Sequence, residues 1–228
     1  MAVILPAAGS STRFGAVASK LFQLLCGEPV LNWTVRAFAG RADVRQIIIP
    51  THEPDEVRGC LAKLGDAERH KIKLCDGGTC RAGSVREGAL ASSADIPWLA
   101  VHDAARPLTS QGLIDRTFTA ALKHGAAAAA LAVHLTIKEA VGPLPAQVCR
   151  TVPRDQLWAM QTPQIMGRGD LLEAFAACPI PLEKVTDDVQ LLELAGKPVW
   201  LVTGEDRNLK ITTPLDLQVA EMIQRSST

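Results

Sequence analysis

Short apolar runs rich in Val, Ile and Leu recur along this chain, and longer stretches with helical spacing separate them. The runs are Val3–Leu5, Gln46–Pro50, Lys71–Cys75, Trp98–His102, Ala127–His134 and Val199–Thr203. Between and after them lie Pro29–Ala39, Asp55–Leu64, Arg81–Ala91, Gly112–His124, Leu171–Ala177, Asp188–Ala195 and Pro214–Gln224. In the first of these, Val30, Trp33, Thr34, Ala37 and Phe38 fall on one face at helical spacing. Strand and helix in this rhythm predict an α/β fold: a Rossmann-like, mostly parallel sheet with flanking helices. Connections in such sheets are right-handed, and ligands bind beyond the carboxyl ends of the strands.

The rhythm breaks between about Leu135 and Gln161, where Gly142, Pro143 and Pro145 interrupt short apolar stretches. This segment reads as a protruding β-arm outside the main sheet. Its apolar residues then need another surface, which a two-fold dimer supplies. With 228 residues, 47% of them hydrophobic, the chain suits one domain spanning 1–228.

Lys+Arg and Asp+Glu both number 24, so no basic excess marks a general nucleic-acid binder. No apolar run reaches the length of a membrane span, and the start lacks the pattern of a signal peptide. The longest run, Ala126 to Val133, reads as a buried strand. Six scattered cysteines without a Cys-x-x-Cys pair fit plain thiols in the cytoplasm.

Three loops carry residues suited to phosphate chemistry. The first run leads into Pro6, Ala7, Ala8 and Gly9, followed by Arg13 and Lys20. Small residues let main-chain N–H groups approach phosphate oxygens, and the two cations add charge where a triphosphate gathers it. The segment is neither a Walker motif nor a full dinucleotide fingerprint, and it also reads as an ordinary strand-to-helix turn. A second loop, Asp76 to Ser84, holds Gly77, Gly78 and Thr79 before a helix; it suits a ligand, or a plain glycine turn capped by Thr79. The fourth run ends in His102-Asp103-Ala104-Ala105-Arg106-Pro107. There Asp103 suits a Mg²⁺ ligand or a partner for Arg106, and His102 reads as a packed strand residue. Thr186 suits a helix N-cap. Lys210 is a cation within an apolar strand pattern, and Arg106, Arg154 and Lys210 together suit a second anionic substrate. His70 and His124 fall in exposed-looking helical segments and need no role.

In this order the motifs resemble the 2-C-methyl-D-erythritol 4-phosphate cytidylyltransferases of the non-mevalonate isoprenoid pathway. The resemblance rests on Leu5-Pro6-Ala7-Ala8-Gly9 with Arg13 and Lys20, Gly77-Gly78 with Arg81 and Ser84, and Asp103-Ala104-Ala105-Arg106-Pro107. It continues through Arg154 and Trp158, Gln161-Thr162-Pro163-Gln164, Thr186-Asp187 and Lys210-Ile211-Thr212. It implies a homodimer in which the arm reaches the other subunit, and a reaction between CTP and a sugar-alcohol phosphate that releases pyrophosphate. It implies that Arg13 and Lys20 act on the triphosphate, with Arg154 and Lys210 also in the reacting site. It implies that Pro6, Ala7, Ala8, Gly9, Gly78, Thr79 and Ser84 line the nucleotide pocket. Asp103, Arg106, Thr136, Arg154, Thr186 and Lys210 would hold the acceptor, with Asp103 near Mg²⁺. Leu21, Thr79-Cys80 and Asp188 depart from the family pattern, which usually has Gln, a more polar pair and Glu there. The attacking phosphate oxygen is already ionised at neutral pH, so positioning and charge stabilisation suffice. Rival readings are a ribitol 5-phosphate cytidylyltransferase, a sugar-1-phosphate nucleotidyltransferase using another base, and a non-catalytic nucleotide-binding regulator.

Overall fold

A computed structural model describes residues 1–9 and 19–226 of the chain. Among these, the strands are β1 (Ala2–Ile4), β2 (Leu24–Leu25), β3 (Glu28–Pro29), β4 (Gln46–Thr51), β5 (Ile72–Asp76), β6 (Trp98–Val101), β7 (Ala126–Ala132), β8 (Ile137–Ala140), β9 (Val148–Val152), β10 (Trp158–Gly167) and β11 (Trp200–Thr203). The helices are α1 (Val30–Ala39), α2 (Pro54–Leu61), α3 (Asp66–Arg69), α4 (Arg81–Ala91), α5 (Gln111–His124), α6 (Arg168–Ala176), α7 (Asp188–Leu194) and α8 (Pro214–Ser226).

Seven strands form the central sheet in the order β11-β7-β10-β6-β1-β4-β5. All run parallel except β10, which pairs antiparallel with both β6 and β7. Strand alternation sends Val3, Ile47 and Ile49 to one face and Ile4, Ile48 and Val101 to the other. The first face packs against α1, where Val30, Leu31, Val35 and Phe38 are buried at helical spacing. The second packs against α4, α6 and α7 through Val85, Leu171 and Leu191. Each of these side chains contributes roughly 1.5–3 kcal/mol when fully buried. Ser110 starts α5 by accepting from the Leu113 N–H at 3.0 Å, and Gly125 ends it at φ +92°, a conformation that disfavours a side chain.

The arm differs from the sequence reading at its second boundary. β8 and β9 form a separate two-stranded hairpin. The main sheet resumes at Trp158, opposite Ala132, so residues 158–161 lie inside it. Pro163 hid this strand: it has no N–H to give, and the pairing with β7 shifts register between Met160 and Gln164. The alanine run is a strand as predicted, with Ala127–Ala130 inaccessible to solvent in β7, but its end emerges from the core, with Leu131 half-buried and Ala132 exposed. The segment around Lys210 is not a strand; it is an irregular stretch tied to the β6 loop by the Ile211 N–H, which donates to the Ala105 carbonyl at 2.9 Å. His124 stacks on Trp200 with ring centroids 4.4 Å apart, while His70 is exposed.

Candidate active site

The chain leaves β1 toward β4 and β5 on one side, then returns to β6 on the other. The strand order therefore reverses at β1, and a crevice opens beyond the carboxyl ends of β1 and β6. A cleft of about 490 Å³ lies there. Pro6 to Gly9 form its floor, Gly78 and Thr79 one wall, and Asp103 to Ala105 the opposite one. Lys20, Arg81 and Lys210 bring cations to it.

The Gly78 wall is fixed by hydrogen bonds. The Gly78 N–H donates to Ser84 Oγ at 3.1 Å, and the Ser84 hydroxyl donates to the Cys80 carbonyl at 3.0 Å. A Cβ on Gly78 would lie 2.4 Å from the Gly83 carbonyl carbon, so only glycine lets the loop fold onto the first turn of α4. The helix cap is not Thr79. Cys80 holds that position, its Sγ accepting from the Gly83 N–H at 3.3 Å, and Thr79 is left exposed on the cleft. All six cysteines are free thiols.

A charge cluster forms the opposite wall. Asp103 Oδ2 accepts from Arg106 Nε at 3.0 Å and lies 3.1 Å from Lys210 Nζ. Asp103 Oδ1 lies 3.4 Å from both Nε and Nη2 of Arg81. The Arg81 guanidinium forms a bidentate pair with Asp188, at 3.1 and 2.8 Å. Burial opposes ionisation of Asp103, but Arg81, Lys210 and Arg106 outweigh it and hold the carboxyl well below the usual range. Complete burial pushes the Asp188 carboxyl up, against the pull of Arg81. Arg81 itself is held protonated: its burial is outweighed by the two carboxylates.

Behind this wall sits a buried polar hub. The Asp103 N–H donates to Thr162 Oγ1 at 3.0 Å, and Thr162 Oγ1 lies 3.0 Å from His102 Nδ1. His102 Nε2 meets Thr109 Oγ1 at 2.9 Å and the Arg106 carbonyl at 3.2 Å. The Thr109 hydroxyl donates to Asn208 Oδ1 at 2.7 Å, which leaves its oxygen to accept from a proton on His102 Nε2. Burial pushes the His102 pKa down from 6.5 to about 4, so the ring is neutral. His102 is thus the packed residue its position predicts, with its ring also against Phe38 at 5.0 Å. Gln161 and Gln164 fix the neighbouring loops. Gln161 accepts from the Glu205 N–H at 3.1 Å, and Gln164 Oε1 accepts from the N–H groups of Asp188 and Val189 at 2.9 and 3.1 Å.

The structure brings Pro6, Ala7, Ala8, Gly9, Lys20, Gly78, Thr79, Ser84, Asp103 and Lys210 to one cleft. Lys20 opens a one-turn 3-10 helix, Lys20–Phe22. Arg13 lies outside the described residues, as does the end of the chain at 227–228. Arg106 is buried beneath the cleft wall, where its Nη1 donates to the Asn208 carbonyl at 2.7 Å. Thr136 and Arg154 are exposed on the arm, away from the cleft of their own chain, and the Arg154 guanidinium donates to the His134 carbonyl. Thr186 is exposed and bonds the Gln190 side chain; the N-cap of α7 is Asp187, which accepts from the Gln190 N–H at 3.1 Å. Sequence reasoning passed over the Arg81–Asp188 pair as a charge bridge, and over His52 on the cleft rim. Arg81 carried a signal, as a cation at the first position of a helix after a double glycine, where the macrodipole disfavours it unless a carboxylate compensates.

Comparison with known proteins places this geometry among related chains. The sequence pattern of the 2-C-methyl-D-erythritol 4-phosphate cytidylyltransferase family, IspD, matches residues 1–226. The chain is 42% identical over 228 residues to the 2-C-methyl-D-erythritol 4-phosphate cytidylyltransferase of Gloeobacter violaceus, covering 99% of this chain and 97% of that protein. Among solved structures, it is similar to the Thermus thermophilus enzyme of the same name, with TM-score 0.78, 33% identity and 98% of each chain covered. It is also similar to the Francisella tularensis enzyme, with TM-score 0.82, 29% identity, 97% of this chain and 98% of that one.

Proposed function

The chain belongs to the 2-C-methyl-D-erythritol 4-phosphate cytidylyltransferase family, and from this premise we propose how its cleft carries out the transfer. The reaction moves CMP from CTP to 2-C-methyl-D-erythritol 4-phosphate, giving 4-diphosphocytidyl-2-C-methyl-D-erythritol and pyrophosphate. An oxygen of the acceptor's phosphate attacks the α-phosphorus of CTP. One P–O bond forms, the bond to the β-phosphate breaks, and pyrophosphate leaves with its electron pair. The chain's task is to hold two anions in line and to stabilise the charge that shifts toward the leaving group.

The base and ribose lie against Ala7, Ala8 and the Gly78–Ser84 loop, and the triphosphate extends toward Lys20; the family resemblance adds Arg13 as a second cation for it. The acceptor's phosphate lies near Lys210 and Arg81. The observation that carries this reading is the clamp on Asp103: three cations converge on one buried carboxylate at the cleft, which fixes Lys210 facing the space between the two walls. Arg106 supports the acceptor site from below by holding Asp103.

Magnesium suits this donor set as an ion shared with phosphates. Asp103 is held ionised, and among the described residues its Oδ1 meets only Arg81, at 3.4 Å, which leaves it the better placed oxygen for a hard cation. Bound Mg²⁺ supplies charge neutralisation on the departing pyrophosphate. Thr136 and Arg154, remote from their own cleft, serve the site of a second copy in a homodimer joined through the β8–β9 arm. Leu135, Val141 and Leu144 stand 78%, 79% and 87% exposed on that arm, an apolar surface that a second copy covers. Thr186 orients the acceptor from the start of α7. No described helix is long and apolar enough to cross a membrane, and free thiols suit a reducing compartment; the enzyme works in the cytoplasm.

The test is pyrophosphate release from CTP with methylerythritol phosphate and, in parallel, ribitol 5-phosphate. A specificity constant at least about a hundredfold higher for methylerythritol phosphate is expected. Equal use of both acceptors overturns the acceptor assignment.

A further inference from the structure

The Gly78 wall is latched from both sides. On the α4 side, Ser84 Oγ receives the Gly78 N–H. On the β4 side, the Gly77 N–H donates to the Thr51 carbonyl at 3.0 Å, and His52 Nε2 lies 3.2 Å from the Gly78 carbonyl. A carbonyl oxygen only accepts, so His52 carries its proton on Nε2 in this contact. The imidazole also lies close over the loop: a Cβ on Gly77 would stand 3.0 Å from Cε1 and 3.1 Å from Nε2. The same ring lines the cleft at its open rim. His52 comes from the end of β4, and neither the phosphate chemistry nor the acceptor site uses it.

We propose that His52 is a positioning residue for nucleobase selectivity: its Nε2–H holds the Gly78 carbonyl in the orientation that reads a pyrimidine edge. This rests on the nucleotide lying against the Gly78–Ser84 loop. Cytosine presents an amino group where uracil presents an oxygen, so an outward-held carbonyl favours the first and repels the second. Gly77 and Gly78 have no side chains to fix the loop, so its hydrogen bonds set the orientation of its peptide planes. Ser84 Oγ also lies 3.5 Å from the Gly78 carbonyl, but its one proton goes to the closer Cys80 carbonyl at 3.0 Å, so His52 Nε2–H, at 3.2 Å, is the donor that sets the peptide plane bearing the Gly78 carbonyl. The histidine acts on the base through the loop. It touches no reacting atom, and its loss affects nucleotide affinity and discrimination ahead of turnover.

Two substitutions separate ring from donor. His52→Phe keeps the flat ring and removes the N–H; His52→Gln keeps an N–H at a similar reach and removes the ring. Steady-state pyrophosphate release is measured with CTP and with UTP, alongside the KM for methylerythritol phosphate. In His52→Phe, the KM for CTP rises about three- to tenfold, the loss of one hydrogen bond to the loop. The CTP-to-UTP preference falls by a similar factor, while the KM for methylerythritol phosphate holds. His52→Gln recovers most of the preference. The proposal is overturned if His52→Phe keeps the parental preference, if His52→Gln fails where His52→Phe succeeds, or if the KM for methylerythritol phosphate moves as far as that for CTP. Equal use of CTP and UTP by the unsubstituted enzyme instead removes the base-site reading beneath it, so the two failures are told apart before any variant is made.

Discussion

Replacing Asp103 by asparagine changes no volume and removes the one charge on which three cations converge. The cluster holds Arg81, Arg106 and Lys210 against Asp103 and Asp188, so its net charge rises from one positive to two. The three cations do not suffer equally. Arg81 retains its bidentate pair with Asp188, and Lys210, with 35% of its side chain exposed, turns toward water. Arg106 has neither exit: its side chain is 10% exposed and, among the described residues, keeps only the Asn208 carbonyl as a full partner. The expected loss is that of one buried cation left without its countercharge, about 3 kcal/mol. Urea denaturation at pH 7.5, followed by far-ultraviolet circular dichroism, measures it. Turnover falls by about a hundredfold or more as well if Lys210 acts on the phosphates as proposed, because it is no longer held facing the cleft. The double substitution Asp103→Asn with Arg106→Met separates the two effects. An apolar side chain of similar length removes the stranded charge and restores more than half of the lost stability, while turnover stays low. A loss in Asp103→Asn below about 1 kcal/mol, or a double variant no more stable than the single one, refutes the charge-balance reasoning.

Three further outcomes follow from the same geometry. Gly78→Ala drives a methyl group into the backbone of Gly83 and Ser84, which cannot swing aside; it breaks the Gly78–Ser84 bond and raises the KM for CTP at least about tenfold in steady-state assays, with the fold intact by circular dichroism. His102 has a folded pKa of about 4 against 6.5 for its ordinary value, so the unfolded chain binds the extra proton first. Its contribution is complete above about pH 6.5 and is lost as pH falls toward 4, by up to about 3 kcal/mol; urea midpoints across that range fall with one proton's slope, and His102→Gln flattens it. Lys20→Ala and Arg154→Ala are each nearly inactive, yet in a shared-site dimer their random mixture recovers about a quarter of the parental pyrophosphate release, because half the dimers carry one intact site of two. Heterodimers confirmed by mass spectrometry and still inactive place Arg154 in its own chain's site.

The parallel part of the sheet was legible because each strand ends near a turn signal and each helix keeps its apolar face in register. Val3–Leu5 is shifted by one residue from the observed β1, and Gln46–Pro50 stops one residue short of the end of β4. The antiparallel β10 was not legible. The sequence reading ran the arm on to Gln161, whereas in the fold Gln161, Thr162 and Gln164 are at most 7% exposed; loops from residues 187–189 and 205–208 satisfy the two glutamines, and Asp103 and His102 satisfy the Thr162 hydroxyl. A buried polar side chain looks like a surface one in sequence whenever its partners lie more than forty positions away, as Glu205 does from Gln161. Local pattern carries no trace of such a pairing.

The same blindness explains why Arg106 and Lys210 looked alike in sequence and differ in the fold. Both bind Asp103 Oδ2, but Arg106 is sealed beneath the wall and Lys210 faces the cleft. A lysine side chain that must be ordered by its ligand loses about 2 kcal/mol of rotamer freedom at each binding event. Here Asp103 has already ordered Lys210 during folding, and the Thr162 hydroxyl has fixed the backbone of Asp103. The carboxylate weakens the lysine's attraction for a phosphate, since it shares the ammonium's charge. It also spares the ligand that ordering, and one residual positive charge on the cluster still favours an anion. For a site that must release a product carrying two phosphates, moderate attraction with fixed geometry favours turnover over retention, because binding that is equal in ground and transition states adds nothing to the rate.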